Sequence, residues 1–280
     1  MFSDRDIERT ADLLREAAAT ELLPRFRNLG VGDIREKGPG DLVTVADEAC
    51  ERRLAAGLSL ILPGAPVVGE EAVAAEPGLV THISAAEWAW IVDPLDGTAN
   101  YARGHDWFAM IVALTYRGET VAGWIYDPIR GGMATASRGA GAHLDRARAM
   151  LPAESPLSGT SGFVGTRMIK AVLASTSPER RARIGKLTTL GCAGLEYMAM
   201  LRGESGFCLY RRTKPWDHAA GALMVREAGG VANRHDGHAY QPSDAVNAGI
   251  LCASTDARWR EIHGLLLGAG EPGTAAADTA

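Results

Sequence analysis

Two aspartates at the end of an apolar run are the residues of this chain best suited to chemistry. Asp93 and Asp96 flank Pro94 after the run 90–92, which is typical of a buried strand. Because Pro94 cannot donate to a sheet ladder, we expect the strand to stop at Asp93 and the chain to turn, which brings the two carboxylates close together. Like charges held this close favour a bound cation. Mg²⁺ or Mn²⁺ fits best, because hard divalent ions prefer oxygen ligands.

Gly97 and Thr98 follow these carboxylates at a predicted helix start. The first N–H groups of a helix have no partner within the helix, so they suit a phosphate oxygen. An isolated Asp-Gly-Thr is also typical of an ordinary turn with a helix cap. These residues alone leave a phosphate site and a structural turn both open.

The longer string around the aspartates resembles a known family. Residues 90–100, Trp-Ile-Val-Asp-Pro-Leu-Asp-Gly-Thr-Ala-Asn, closely resemble the first signature of the inositol monophosphatase family, the magnesium-dependent, lithium-sensitive sugar-phosphate phosphatases. Three more stretches resemble that family in the matching order, namely 44–47, 67–71 and 216–221 continuing to 227–230. The resemblance spans most of the chain.

The resemblance implies a metal site with two or three Mg²⁺ ions per subunit, or Mn²⁺ in their place. The implied metal ligands are Glu70, Asp93, the backbone carbonyl of Leu95, Asp96 and Asp217. The implied catalytic residues are Glu70, Asp47 and Thr98, which orient an attacking water, with Asp47 paired to Thr98. The Gly97 and Thr98 amides would hold the phosphate. Without the resemblance, Asp47 would simply complement the dipole of a helix in its first turn.

The predicted substrate pocket departs from the family pattern. Members that hydrolyse inositol monophosphate usually carry a glutamate seven residues before the last metal aspartate, and Tyr210 stands there in this chain. Arg211, Arg212 and Lys214 follow it. Tyr210 and Arg211 are therefore the predicted substrate-binding residues. The cations favour a more acidic substrate or solvate a strand end, while His218 lies either at the pocket rim or in helix packing.

The predicted function is hydrolysis of a small phosphorylated metabolite, inositol monophosphate-like, by a metal-activated water. Three other substrates are open alternatives, namely 3′-phosphoadenosine 5′-phosphate, fructose 1,6-bisphosphate and histidinol phosphate. A non-enzymatic role in RNA binding or transcription is a further alternative, because some members of the family have acquired one. The resemblance also implies a homodimer.

The composition is that of an ordinary globular protein. The chain has 280 residues, of which 46% are hydrophobic, and a formal net charge of −5, so nucleic acid is not expected as a general partner. The 4 cysteines are far apart, which favours buried free thiols over a zinc or redox motif. We see neither a signal peptide nor an apolar run that approaches the roughly 18 residues of a membrane span, so we expect a soluble cytoplasmic protein.

The alternation of apolar runs and helical periodicities predicts an α/β (α+β) protein. The family resemblance implies a layered α-β-α-β-α sugar-phosphatase fold. The N-terminal half would hold an antiparallel or mixed sheet and the C-terminal half a second α/β layer. We divide the chain into an N-terminal subdomain 1–150 that carries most metal ligands, a C-terminal subdomain 151–268 that closes the site, and a disordered tail 269–280.

Overall fold

The computed structural model describes residues 2–152 and 156–268. The predicted disordered tail 269–280 lies outside these residues. The division into subdomains 1–150 and 151–268 stays a prediction, although it falls between the last strand of one sheet and the first strand of another.

The chain begins with two helices joined by a small hairpin. Helix α1 (Asp4–Ala17) starts where Ser3 and Asp6 cap each other, and it continues into a π-helical turn, Ala18–Leu22. Strands β1 (Ile34–Gly38) and β2 (Asp41–Thr44) form the antiparallel hairpin, and α2 (Val45–Ile61) follows directly.

The first sheet has seven strands in chain order, with β3 and β4 parallel and all other pairs antiparallel. Between β3 and β4 the chain forms two short helices and a 3₁₀ turn. The elements of this part are β3 (Val67–Gly69), α3 (Glu70–Ala75), a 3₁₀ turn (Pro77–Thr81), α4 (His82–Ala85), β4 (Trp88–Asp96), α5 (Thr98–Ala102), β5 (Ala109–Tyr116), β6 (Glu119–Tyr126), β7 (Met133–Ser137), β8 (Gly141–Leu144) and β9 (Ala147–Ala149).

The prediction that β4 stops at Asp93 was wrong. β4 continues to Asp96, and its pairing with β5 shifts by one residue, from Asp93 opposite Ile111 to Asp96 opposite Ala109. The extra residue makes a β-bulge that contains Pro94, and a bulge is a position where a sheet tolerates a residue without an N–H. The proline therefore bends the strand without ending it.

The second sheet has five strands in the order β11-β10-β12-β14-β13. The strands β11, β10 and β12 are parallel, whereas β12, β14 and β13 pair antiparallel. The elements are a 3₁₀ turn (Leu157–Gly159), β10 (Gly162–Val164), α6 (Ile169–Ser175), α7 (Pro178–Arg181), β11 (Leu187–Thr188), α8 (Ala193–Leu201), β12 (Phe207–Tyr210), α9 (Pro215–Glu227), β13 (Val231–Arg234), β14 (Ile250–Ala253) and α10 (Asp256–Leu266).

Three hydrophobic clusters join these elements into five layers. Trp90 and Val92 on one face of the first sheet pack with α1 and α2, whereas Ile91 on the opposite face packs with α8 and α9. The helices α8 and α9 also cover one face of the second sheet, and α6 and α10 cover its other face. The predicted α-β-α-β-α arrangement is confirmed, and it places α9 between the two sheets.

Candidate active site

Three carboxylates from separate elements meet between the sheets. Glu70 opens α3 directly after β3, Asp93 lies in β4, and Asp217 lies in the first turn of α9. Because β3 and β4 are parallel, with Gly69 opposite Val92, Glu70 and Asp93 leave neighbouring strands at the same end. One ligand atom from each of the three side chains lies within 4.8 Å of the others. We call these residues the carboxylate cluster.

The carboxylate cluster concentrates negative charge in a buried place, so its carboxylates repel one another. Asp93 is 2% exposed, and burial together with the charges of Glu70 and Asp96 raises its pKa well above the usual range. Burial likewise raises the pKa of Asp217, against the attraction of Lys214. A divalent cation would neutralise such a cluster, and a donor set made only of carboxylate oxygens suits Mg²⁺ or Mn²⁺. The chain can therefore hold a metal ion here.

Two lysines contact Glu70. The Lys214 ammonium donates to Glu70 Oε1 at 2.8 Å, and the Lys37 ammonium lies 3.5 Å from the same oxygen. Lys37 also donates to Glu71 at 2.8 Å. Burial acts to raise the pKa of Glu70, but the two ammonium groups outweigh it and lower that pKa. Lys37 lies in β1, and nothing local in the sequence connects it with Glu70.

Asp96 does not join the carboxylate cluster. Its Oδ2 accepts hydrogen bonds from the Gly194 backbone N–H at 2.6 Å and from the Cys192 thiol at 3.1 Å, at the start of α8. Burial raises the pKa of Asp96 to about 6 despite these bonds. Leu95, whose carbonyl was a predicted metal ligand, is buried, and this carbonyl accepts a hydrogen bond from the Thr98 hydroxyl at 2.9 Å.

Asp47 and Thr98 lie in direct contact. The Thr98 hydroxyl is 3.0 Å from Asp47 Oδ1, while Asp47 Oδ2 accepts hydrogen bonds from the backbone and the hydroxyl of Thr44 at 2.8 and 2.6 Å. Asp47 is 1% exposed, and burial raises its pKa to about 7 against these hydrogen bonds. This aspartate therefore closes the capping box of α2 and also fixes the Thr98 side chain.

Gly97 shapes the turn that follows the aspartates. Its φ is +91°, in the left-handed region that favours glycine, and it directly precedes α5. A Cβ at this position would lie 2.7 Å from the carbonyl oxygen of Trp107. Both the conformation and the close approach therefore require glycine beside Thr98.

Tyr210 is not free to bind a substrate with its hydroxyl. It is buried at the end of β12, and its hydroxyl donates to Glu196 Oε2 at 2.6 Å. Glu196 Oε1 accepts from the Thr189 hydroxyl and the Leu190 N–H, and burial raises the pKa of Glu196 to about 7. Sequence reasoning missed Glu196. The available signal was a single acidic residue in the otherwise apolar segment 193–201.

His218 packs between neighbouring elements and also lines the cavity described below. It is 2% exposed, its Nε2 lies 2.8 Å from the Arg212 carbonyl oxygen, and its Nδ1 lies 3.1 Å from the Tyr197 hydroxyl. Burial lowers the pKa of His218 to about 4, so the ring is neutral near pH 7. A neutral ring that donates from Nε2 and accepts at Nδ1 satisfies both contacts.

A cavity of about 620 Å³ opens beside these residues. Its lining includes Asp96 and Asp217 as well as the predicted substrate-binding residues Tyr210 and Arg211. The volume is typical of pockets for small metabolites. Two of the metal candidates, Asp96 and Asp217, therefore border the same cavity as the substrate candidates.

Comparison with known proteins identifies the family. A sequence model described as the inositol monophosphatase family matches residues 5–271. The chain belongs to the inositol monophosphatase family. The inositol-1-monophosphatase of Mesorhizobium japonicum is 35% identical to it over 238 residues, which cover 81% of this chain and 83% of that protein. The Nus factor SuhB of Vibrio cholerae is 31% identical over 237 residues, which cover 79% of this chain and 80% of that protein.

Solved structures agree with this family assignment. The extragenic suppressor protein suhB of Bartonella henselae superposes with a TM-score of 0.80 at 25% identity, over 95% of this chain and 100% of that chain. The Thermotoga maritima IMPase gives a TM-score of 0.78 at 23% identity, over 94% of this chain and 98% of that chain, and it supports the fold. As a member of this family, the chain is a phosphatase that acts on small phosphorylated substrates.

Among residues 2–152 and 156–268, no helix is both long enough and apolar enough to span a membrane.

Proposed function

We propose that this phosphatase is a Mg²⁺-dependent phosphomonoesterase that hydrolyses a small metabolite of the inositol monophosphate type by attack of an activated water. The observation that carries the proposal is the carboxylate cluster, whose ligand atoms lie within 4.8 Å of one another. Asp217 of this cluster lines the metabolite-sized cavity, and an all-carboxylate donor set beside such a cavity is typical of Mg²⁺ enzymes that act on phosphates.

Glu70, Asp93 and Asp217 would hold the metal, and the Leu95 carbonyl and the Asp96 carboxylate would extend the ligand set to two or three ions. Mn²⁺ can replace Mg²⁺, because both are hard ions with oxygen ligands. The bound ions would supply Lewis acidity to the phosphate and lower the pKa of a water molecule.

The remaining residues position the reactants. The Thr98 hydroxyl lies within hydrogen-bonding distance of Asp47 Oδ1 and the Leu95 carbonyl oxygen, so its proton is held by an acceptor and its oxygen is available to accept from a water molecule. Glu70 would act as the second group that orients this water. The backbone N–H groups of Gly97 and Thr98, in the turn that only glycine can form, would hold the phosphate in line for attack.

Inositol 1-phosphate itself should be a mediocre substrate. Tyr210 stands where a glutamate would accept hydrogen bonds from the substrate hydroxyls, and its own hydroxyl is already committed to Glu196. A site that lacks a needed polar partner loses discrimination for the substrate that requires it. Tyr210 would therefore contribute its ring to the wall, and the exposed Arg211 its charge.

A transcription-associated role is the second candidate, because several relatives carry the name Nus factor SuhB. The net charge of −5 and the carboxylate cluster of Glu70, Asp93 and Asp217 support hydrolysis as the main activity. Affinity purification of this protein from nuclease-treated and untreated extract distinguishes hydrolysis from a transcription-associated role. Partners that disappear after nuclease treatment would support the second candidate.

We also propose a homodimer located in the cytoplasm. The dimer is proposed from family membership. The cytoplasmic location is supported by the four widely spaced cysteines, which are all free and buried, as expected in a reducing compartment.

Release of inorganic phosphate tests the proposed function. We expect a panel of phosphate esters to be hydrolysed in the presence of Mg²⁺ or Mn²⁺, with inhibition by lithium and by excess Mg²⁺. A chelator should abolish the activity, and added Mg²⁺ should restore it. Phosphate release that a chelator leaves unchanged would contradict the metal mechanism.

A further inference from the structure

The cavity has a cationic wall in addition to its carboxylates. Arg167, Arg211 and Arg212 line it, and all three are exposed. We call them the arginine wall. Lys37 and Lys214, two cations near the carboxylates, are already paired with Glu70. The arginine wall adds positive charge to the cavity beyond these paired lysines.

The topology of the second sheet explains why these three arginines line the same cavity. Arg167 follows β10, and Arg211 and Arg212 follow β12. β10 and β12 are parallel neighbours, with Val164 opposite Leu209, so both segments leave the sheet at the same edge. The carboxyl ends of neighbouring parallel strands are a recurrent place for ligand binding in α/β proteins.

The three guanidinium groups have no acidic partner within bonding distance. Among residues 2–152 and 156–268, none of them forms a hydrogen bond or an ion pair within 4 Å, and Arg212 acts on Asp217 only at longer range. Lys214, on the same cavity, is by contrast bound to Glu70 at 2.8 Å. Surface arginines with nearby carboxylates commonly pair with them, so three unpaired ones on a single cavity indicate an anionic ligand.

A hydroxyl lies beside the arginine wall. Thr166, exposed and directly before Arg167, has its Oγ1 3.3 Å from Thr189 Oγ1. Thr189 follows β11, the third parallel strand that ends at this edge. Because the Thr189 hydroxyl already donates its proton to Glu196, Thr166 is the donor in this contact, and its hydroxyl is committed to Thr189 Oγ1.

We propose that the arginine wall binds a second phosphate group of the substrate, so that the natural substrate is a small bisphosphorylated metabolite. This inference rests on the proposed function, because the first phosphate must lie at the carboxylate cluster. Three guanidinium groups offer more donors than the two oxygens of a carboxylate can use, whereas the three terminal oxygens of a phosphate monoester accept several charge-assisted hydrogen bonds.

The test compares two sugar phosphates that differ only in the second phosphate. Fructose 1,6-bisphosphate and fructose 1-phosphate are assayed for phosphate release with Mg²⁺, and their binding is measured by calorimetry with Ca²⁺ in its place. The variant combines Arg167→Ala, Arg211→Ala and Arg212→Ala. Arg181→Ala is the control, because Arg181 is exposed in α7 and does not line the cavity.

We expect the wild type to prefer the bisphosphate, and the triple variant to reduce that preference about tenfold or more through KM and Kd, which is the scale of a lost charge-assisted hydrogen bond. Arg181→Ala should keep the preference, and added salt should weaken it in the wild type. A wild type without the preference, or a triple variant that retains it, would overturn the inference. Tighter binding of 3-phosphoglycerate than of the bisphosphate would overturn the assignment to a second phosphate.

The two readouts separate this inference from the proposed function. If calorimetry shows the arginine-dependent preference and no ester is hydrolysed, the proposed function fails and the second subsite stands. If esters are hydrolysed in a metal-dependent way but binding shows no such preference, the subsite fails and the proposed function stands.

Discussion

Tyr210 and Glu196 form a buried pair in the wall of the active-site cavity. The Tyr210 hydroxyl donates to Glu196 Oε2 at 2.6 Å, and the two residues lie in different elements, β12 and α8. The remaining Glu196 oxygen holds the loop at Thr189 and Leu190. The pair therefore joins a strand, a helix and a loop at the edge of the site.

Tyr210→Phe tests the structural role of this pair. Removing the hydroxyl leaves a buried carboxylate oxygen without its donor, so we expect the free energy of unfolding to fall by about 1–3 kcal/mol. Tyr116→Phe is the matched control, because its hydroxyl bonds Glu87 at the surface, and it should change stability by less than about 0.5 kcal/mol. Urea unfolding measures both. Equal losses in the free energy of unfolding would show that the buried hydrogen bond stabilises the protein no more than the exposed one.

Glu196 should also give stability a distinct pH dependence. Burial raises its pKa from 4.5 to about 7, so between these values the unfolded chain releases a proton that the folded protein retains. Relative to Glu196→Gln, the wild type should therefore lose stability as pH rises from 4.5 to 7, by at most about 1.4 kcal/mol per pH unit, and change no further above that range.

Unfolding of wild type and Glu196→Gln across this pH range provides the measurement. Asp47 shares the same direction of pKa shift, so the difference between the two proteins is the quantity to follow. Glu204→Gln, at an exposed position, serves as the control. A constant difference between wild type and Glu196→Gln would refute the raised pKa.

Asp93→Asn should separate catalysis from stability. Asp93 lies in the carboxylate cluster, so its loss should lower kcat about a hundredfold or more, the scale at which a preorganised electrostatic group acts. Without metal, the variant should be at least as stable as the wild type, because one of several repelling carboxylates is neutralised. Phosphate release and thermal unfolding provide the two measurements. The exposed Asp12→Asn is the control, and wild-type turnover in Asp93→Asn would mean that the ligand assignment is wrong.

The proposed homodimer predicts a molar mass of two chains. Light scattering across micromolar concentrations should give that mass at every dilution if the proposed dimer is stable. A mass of one chain throughout would refute the proposal.

Much of the site was readable from sequence because its parts are local. Asp93 directly follows the apolar run 90–92, and Asp47 lies three residues after the Thr44 that it caps, so short-range sequence patterns identify both residues. The prediction that the strand ends at Asp93 was wrong, because the chain forms a β-bulge at Pro94 and the strand continues.

The long-range contacts depended on the tertiary structure. Lys214 reaches Glu70 across 144 residues, and Tyr210 reaches Glu196 because β12 passes beside α8. Likewise, Arg167 and Arg212 line the same cavity because β10 and β12 are parallel neighbours. The pattern of apolar and polar residues determines which segments become helices and strands, whereas strand order and register decide which of their polar ends share a cavity.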